Sequence, residues 1–521
     1  MFDPHPRSVA AETPDRLALL MVEDGASVTY KELADRSAQA AQLFASLGVA
    51  QGDTVAFLLD NHIRYPELLW AAKDSGLRYV AVSTHLNAGD AAYIIQDCAA
   101  QLLVTSLALA AVAREAISQM VVPPYLLMLD GAGPPFLSYE DILAAQPATP
   151  LPGRKRGASM LYSSGTTGRP KAVRTAIADV PPEAPPMRFA MVVHQYGFDA
   201  RTVFVNPGPF YHAGPLRFMM TVQRAGGTVL GFRRFDPQLV LDAIGTHGAT
   251  HGFFVPTMFS RMLKLDQTRR DAANLTTIRD AIHGAAPCSV QIKRAMIDWW
   301  GPVIDELYAG TEAVGHTFIS SAEWLLHPGS VGRPAANCTM KIVDAQGNIL
   351  PPGKPGRILM SNGLDVRYHG AAAAEASLYG ADGFASLGDV GYLDEDGYLY
   401  LTDRESHMII SGGVNIYPQE AELVIGQHPA VADVAVIGVP HADMGEEVKA
   451  VVQPVEMPLE PSVLAEEIMA FCRSRLSSIK CPRSVDFVTC LPRNDMGKLV
   501  KRLIKAPYWA GAGDLARSPR L

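Results

Sequence analysis

Hydrophobic residues in the first half of the chain come as short, almost continuous runs separated by mixed stretches. Thr54-Val55-Ala56-Phe57-Leu58-Leu59 is one such run, the pattern of a strand covered on both faces. Pro66 to Ser75 follows as a helix candidate, with Pro66 suited to the first helical position and Gly76 closing it. Tyr79-Val80-Ala81-Val82-Ser83 is the next strand. Strand–helix–strand units imply parallel pairing and an α/β architecture. The rhythm returns around Thr228-Val229-Leu230 and between Ala249 and Lys264, without a fixed repeat length.

From Gly329 to about Tyr400 the pattern changes. Short strand candidates alternate with turn sequences such as Asp344-Ala345-Gln346-Gly347, Pro352-Gly353 and Asp394-Glu395-Asp396-Gly397, which predicts a β-rich subdomain. After Asp403-Arg404 comes a third texture. A helix is expected over Pro418 to Gln427, strands at Val434 to Gly438 and Val448 to Gln453, and a helix over Pro461 to Leu476. The expected fold is therefore α/β: a large multi-subdomain N-terminal α/β domain over residues 1–403 with a β-rich subdomain, and a small C-terminal α+β domain over 404–521. Pro181 to Pro186 reads as a loop, because proline removes donors and restricts its neighbours. Ala506 to Leu521 reads as a surface extension.

At 521 residues the chain exceeds one ordinary core, and its 48% hydrophobic content can fill several. A net charge of −8 gives no global attraction to nucleic acid or anionic membrane, so no nucleic-acid partner is expected. The six cysteines are scattered and none forms Cys-x-x-Cys, which argues against a zinc site or disulfide framework and for a cytoplasmic location. Met1 to Arg7 opens without the apolar core of a signal peptide. No run of about 18 apolar residues predicts a membrane-spanning helix. Peripheral membrane contact and a homodimer are both compatible with this pattern.

Candidate chemistry concentrates first in Ser163-Ser164-Gly165-Thr166-Thr167-Gly168-Arg169-Pro170-Lys171, behind the apolar lead-in Met160-Leu161. Glycines let backbone N–H groups approach oxygen, hydroxyls add donors and lysine adds charge, so the loop suits a polyphosphate. It is not a Walker loop, which ends in Gly-Lys-[Ser/Thr] and leads into a helix; here Pro170 separates Arg169 from Lys171.

The order Ser-Gly-Thr-Thr-Gly-x-Pro-Lys closely resembles the phosphate loop of the adenylate-forming superfamily, which includes acyl-CoA synthetases, peptide-synthetase adenylation domains and firefly-type luciferases. Further segments match the same family, in order, along most of the chain, and resemble fatty-acyl-CoA ligases most. Tyr308-Ala309-Gly310-Thr311-Glu312 resembles its Tyr-Gly-x-Thr-Glu segment, with Ala309 in the usual glycine position. The resemblance implies that Tyr308 stacks on adenine, Thr311 contacts phosphate and Glu312 holds magnesium together with Thr166. His283-Gly284-Ala285-Ala286-Pro287 looks like the adenine-side loop, where small residues let a flat base lie against the main chain. Ser386-Leu387-Gly388-Asp389 resembles the (Ser/Thr)-Gly-Asp segment whose carboxylate takes the ribose hydroxyls, with Leu387 as an insertion-like departure.

Asp403-Arg404 and Met408 to Pro418 resemble the interdomain hinge and the first loop of a small mobile domain. Arg404 is implied at the ribose, the hinge lies near Arg404 to Ser406 with serine in place of the usual charge, and Gly412-Gly413 would admit a pantetheine arm. Asn494-Asp495-Met496-Gly497-Lys498 matches the terminal Gly-Lys segment, which makes Lys498 the implied catalytic lysine. Pro209-Phe210-Tyr211-His212 resembles the acyl-site segment, with His212 as a gate or carboxylate-side contact.

The family therefore implies an acid-CoA ligase that uses ATP, Mg²⁺ and coenzyme A and passes through an acyl-adenylate. Phe210 to Leu216, His251 to Met258 and Ala281 to His283 are apolar and aromatic, which points to an apolar carboxylic acid. Two alternatives stand beside this: an adenylation enzyme loading a separate carrier protein, and a P-loop-type ATPase or nucleotide switch.

Overall fold

The computed structural model describes residues 5–163, 170–364, 366–369, 379–380, 382–412, 414–494 and 497–510. These fall into two compact units. The first comprises Met1–Ala285, Gln291–Val314 and Gly363–Ala376; the second comprises Ala286–Val290, Gly315–Asn362 and Ser377–Leu521.

Strands of the first unit are β1 (Leu17–Met21), β2 (Ser27–Thr29), β3 (Thr54–Leu58), β4 (Arg78–Val82), β5 (Ala100–Ser106), β6 (Tyr125–Leu129), β7 (Leu137–Ser138), β8 (Ala158–Ser163), β9 (Lys171–Thr175), β10 (Val203–Asn206), β11 (Thr228–Gly231), β12 (His251–Phe254), β13 (Asp280–Gly284) and β14 (Ile304–Ala309). One sheet runs β9-β8-β4-β3-β5-β6-β7, and beyond β9 lies a further strand, Val366–Tyr368. Its interior pairs are parallel, and the strands at the β8, β9 side are antiparallel. The other runs β14-β13-β12-β10-β11-β1-β2 and is parallel except for β1 with β2. Every residue of β3 is buried, as its continuous apolar run requires in a sheet covered on both faces. The α/β expectation holds.

Helices between the strands carry unusual polar contacts inward. The helix Tyr65–Asp74 buries Glu67, and Arg36, from the helix Tyr30–Ser46, grips it with Nε and Nη2 at 2.6 and 3.0 Å. The Tyr139 hydroxyl donates to the same carboxylate at 2.8 Å, and Arg36 also reaches Glu140 at 2.8 Å. The Pro181–Pro186 loop forms as expected, and its place is set by Arg224. That buried guanidinium donates to the carbonyls of Glu183 at 2.8 Å and Pro182 at 3.0 Å, acceptors left over because prolines cannot enter a regular ladder.

The second unit holds β15 (His316–Ile319), β16 (Arg333–Pro334), β17 (Thr339–Val343) and β18 (Gly356–Ser361); numbering the first unit's Val366–Tyr368 as β19, it continues with β20 (Ala385–Leu393), β21 (Leu399–Arg404), β22 (Ile409–Ser411), β23 (Val414–Ile416), β24 (Val431–His441), β25 (Gly445–Pro454) and β26 (Ser484–Phe487). An antiparallel sheet β17-β18-β20-β21 realises the β-rich segment, and β23-β22-β25-β24 with β26 beside β25 forms the C-terminal sheet. Helices Pro418–Ile425 and Pro461–Arg473 pack on it through Ala421, Ile425, Ile468 and Cys472.

One expectation fails. Ala506 does not open a surface extension: a helix spans Lys501–Trp509. Lys501 pairs with Glu422 at 2.8 Å, Tyr508 donates to Asp486 at 2.5 Å, and the Trp509 indole donates to the Gly438 carbonyl at 3.1 Å. Residues 511–521 lie outside the described part.

Candidate active site

The hydroxyl-rich segment joins β8 to β9, which pair antiparallel with Ser163 opposite Lys171. A strand, not a helix, follows it, and that geometry is incompatible with a Walker loop. Ser164, Gly165, Thr166, Thr167 and Gly168 lie outside the described residues, as does Gly413; Ser163 is described as backbone only. Where the loop returns, Lys171 Nζ stands 5.6 Å from the ring centre of Tyr368 on β19. The Tyr368 hydroxyl donates to Glu312 Oε1 at 2.9 Å. One aromatic side chain thus joins the loop's lysine to the expected metal carboxylate. Sequence reasoning missed Tyr368, because its strand reaches β9 from about two hundred residues downstream.

Gly284 and Tyr308 sit at neighbouring strand ends. β13 and β14 run parallel with His283 opposite Glu306 and Gly284 opposite Leu307. A Cβ on Gly284 would lie 2.5 Å from the Leu307 carbonyl oxygen, so only glycine allows this approach. Ala285 follows at φ +67, the left-handed region that costs a non-glycine residue about 1–2 kcal/mol. Ala285 and Pro287 are exposed and Ala286 half-buried, while Tyr308, Thr311 and Glu312 are half-buried. Arg217 donates to the Thr311 carbonyl at 2.8 Å, another contact invisible in sequence.

His212 precedes the helix Ala213–Arg224 and lies 4.8 Å from the Tyr211 ring. Buried Asn61 fixes the turn before it, accepting from Phe210 N at 2.7 Å and donating to the carbonyls of Gly208 and Phe232 at 3.0 and 2.7 Å. Phe253 stacks on Phe218 at 5.1 Å and covers Gly214, where a Cβ would come within 2.7 Å of its ring. His251 is instead a satisfied core histidine: its Nε2 meets the Tyr196 carbonyl at 2.9 Å and Asp280 at 3.2 Å.

In the second unit, Asp389 on β20 faces Arg404 on β21, and Arg404 Nε is 3.0 Å from Asp389 Oδ1. The departure at Leu387 is absorbed by a β-bulge. Arg357 pairs with Val390 and Leu359 with Ser386, so the 386–390 stretch bows out against its partner. Gly388 within it has φ +75 and donates to Ser386 Oγ at 3.1 Å. Asp403 accepts from the backbone of Arg404 at 2.6 Å and of Gln419 at 2.9 Å. Burial works to raise its pKa, but His407 and Lys501 outweigh it and hold the carboxyl below its ordinary range. Ser406 sits in a single 3₁₀ turn, Glu405–His407. Gly412 is exposed and donates to the Met444 carbonyl at 2.9 Å. Lys498 is half-buried on a tight turn: its backbone N–H donates to Asn494 Oδ1 at 2.9 Å, and Arg493 anchors the turn on Asp433 at 2.6 and 2.8 Å.

Among the described residues no group of three or more His, Cys, Asp or Glu side chains could hold a metal ion. Glu312 alone suits Mg²⁺, which takes one or two protein carboxylates and completes its shell with water and substrate phosphate. No described helix is long and apolar enough to cross a membrane.

The comparisons with known proteins give this α/β scaffold its class, that of nucleotide-dependent ligases. The description "AMP-binding enzyme" matches residues 7–364 and "AMP-binding enzyme C-terminal domain" matches residues 420–498. The chain belongs to the AMP-binding enzyme family, within the adenylate-forming superfamily. It is 32% identical over 490 residues to a feruloyl-CoA synthase of Amycolatopsis sp, covering 93% of this chain and 94% of that protein. It is 29% identical over 506 residues to the medium/long-chain-fatty-acid–CoA ligase FadD8 of Mycobacterium tuberculosis, covering 93% and 86%. The crystal structure of ATP-bound MatB from Rhodopseudomonas palustris matches with a TM-score of 0.85 at 28% identity, over 98% of this chain and 99% of that one.

Proposed function

We propose that this acid-CoA ligase takes an apolar monocarboxylic acid. The ligase chemistry itself is that of its family: ATP converts the acid to an acyl-adenylate, and coenzyme A takes the acyl group. A carboxylate is a poor acyl donor because oxide would have to leave, whereas AMP leaves readily from the adenylate. The carboxylate oxygen attacks the α-phosphorus and pyrophosphate departs opposite. Positioning and charge stabilisation dominate such a step.

The roles follow from the residues. The loop from Ser163 to Lys171 cradles the β- and γ-phosphates, and Tyr308 with Gly284 to Pro287 walls the base. Asp389 accepts the ribose hydroxyls, with Arg404 beside it at 3.0 Å. Mg²⁺ on Glu312 and Thr166 would neutralise phosphate charge. Lys498 contacts the acid carboxylate and the α-phosphate, and Gly412-Gly413 lies along the pantetheine arm. The domain boundary is placed at Asp403-Arg404, with the turn Glu405–His407 as hinge. The observation that carries the nucleotide assignment is the Lys171–Tyr368–Glu312 arrangement at the root of the loop.

For the acid, support comes from the Phe218–Phe253 stack over Gly214, from the engagement of nearby Arg217 on the Thr311 carbonyl, and from relatives named for feruloyl and fatty acids. A homodimer and a cytoplasmic location complete the reading.

The test is pyrophosphate release over a panel of aliphatic, aryl and dicarboxylic acids, with and without coenzyme A. Acid-dependent AMP and pyrophosphate are expected, fastest with apolar monoacids; preference for a dicarboxylate would overturn the substrate assignment. Lys498→Ala is expected to lower adenylate formation by about 10²–10³-fold, the loss of roughly 3–4 kcal/mol from one preorganised donor. Thioester formation from supplied acyl-adenylate should largely survive, and equal loss of both half-reactions would remove the role given to Lys498.

A further inference from the structure

Behind the base-side strand ends lies a buried polar cluster that the reaction as described leaves unused. Lys293 Nζ is 2.8 Å from Glu306 Oε2, and His283 Nε2 is 3.4 Å from the same oxygen. Lys293 and His283 are 0% exposed and Glu306 is 6% exposed. Neither ring nitrogen of His283 has a hydrogen-bond partner among the described residues. Burial, and then the charge of Lys293, keep the imidazole neutral, with its pKa well below the ordinary value. Phe259 packs on the ring at 5.6 Å in an edge-to-face contact.

The three side chains come from three elements, and each element leads into a proposed base wall. His283 immediately precedes Gly284 and Ala285 on β13. Glu306 lies two residues before Tyr308 on β14, so the two share a face of the strand, the glutamate buried and the tyrosine half-buried. Lys293 sits in the first turn of the helix Val290–Trp300, which begins where the 285–289 loop ends. Burying an ion pair is weak evidence for stability, since apolar replacements of similar volume are often as stable. Beside it, the main chain holds a left-handed alanine and a glycine-only approach, local costs that persist where the surroundings over-determine the backbone.

We infer that the Lys293–Glu306 pair, with His283 packed against it, is a positioning device that fixes the gap between Tyr308 and the Gly284-Ala285 backbone and thereby sets affinity and selectivity for the nucleotide base. This rests on the reading of those residues as the walls of the base site. None of the three touches the nucleotide; they act through Tyr308 and the loop.

The experiment uses the full-length enzyme with Glu306→Gln, the double variant Lys293→Met/Glu306→Leu, and Tyr308→Ala as a separate control. Thermal unfolding is recorded for each, with KM for ATP, KM for the acid, kcat, and the ratio of kcat/KM for ATP over inosine triphosphate. The double variant is expected to unfold within a few degrees of the parent while KM for ATP rises about tenfold and base discrimination falls by a similar factor. KM for the acid and kcat should change by less than about threefold. Unchanged KM for ATP and unchanged base preference, or equal damage to ATP and acid parameters, would overturn the inference. If the double variant does not fold, Glu306→Gln keeps the carboxylate's shape without its charge and is judged by the same criteria. An unaltered KM for ATP in Tyr308→Ala would instead overturn the base-wall reading, so the two failures are told apart.

Discussion

Among the described residues of the first unit, Glu67 and Glu306 are buried glutamates with the same nominal chemistry and different surroundings. Glu67 receives a two-pronged guanidinium from Arg36 and a hydroxyl from Tyr139. Glu306 receives one ammonium from Lys293 and stands 3.4 Å from a neutral imidazole. Burial raises the pKa of both carboxyls, against the pull of Arg36 in one case and of Lys293 in the other. The Arg36 fork satisfies its partner from a fixed plane, whereas a lysine is a point charge on a flexible stem. One cluster ties three helices together; the other adjoins the proposed base-site residues with less than full satisfaction. That difference separates a polar cluster kept for architecture from one kept for placement.

The strongest way to break the contrast is Arg36→Leu. It removes the cation hydrogen-bonded to both Glu67 and Glu140, leaving them Arg64 at 3.7 and 3.6 Å, and should cost about 3 kcal/mol in urea unfolding. Adding Glu67→Leu should restore little, because the buried Tyr139 hydroxyl then loses its acceptor. Lys293→Met should cost less, about 2–3 kcal/mol, since one donor is lost rather than a fork. Here the added Glu306→Leu should recover most of the stability, and equal recovery in the two clusters would erase the distinction.

A smaller effect sharpens it on the phosphate side. Tyr368→Phe keeps the ring beside Lys171 and removes the hydrogen bond to Glu312. KM for ATP at limiting Mg²⁺ should rise by about tenfold, the worth of one bond to a charged group. Manganese binding in the presence of ATP, read by electron paramagnetic resonance, should weaken in parallel while the unfolding midpoint holds.

The smallest effect is in pH dependence. A carboxyl whose folded pKa lies above its ordinary 4.5 binds more protons folded than unfolded, so its contribution to stability falls as pH rises through that window. Asp74 has the opposite sign. Burial works to raise it, but His5 and Arg7 hold it below 3.8, and its contribution is lost as pH falls through the folded value. Glu306→Gln should therefore flatten the stability profile above pH 4.5 and leave its acid limb intact.

Legibility in the sequence tracked how local each signal was. The run Thr54 to Leu59 and the helix from Pro66 were readable because neighbours in sequence carry the pattern, and the structure returns β3 and the helix Tyr65–Asp74 within a residue. Strands of the C-terminal sheet read too short, Val434 to Gly438 against Val431–His441, because Asp433 and Pro440 interrupt the apolar run while pairing with β25 carries the ladder past them. The tail was misread because Tyr508 and Trp509 find their partners on distant strands, at Asp486 and Gly438. Tyr368, Arg217 and the Lys293–Glu306 pair carry no local pattern at all. Each is an ordinary residue until the fold supplies its counterpart, and only the family resemblance pointed to the neighbouring motifs.

Strand β19 has one more consequence, in the order in which the protein is made. It docks on β9 after about two hundred intervening residues have been synthesised, which takes roughly 10–40 s at ordinary elongation rates. Throughout that interval the outer flank of β9 is an open edge, the kind of surface that recruits foreign strands. The nascent chain therefore passes through a stage in which the β8–β9 hairpin presents an unpaired edge, and translation must run past Tyr368 before that hazard closes.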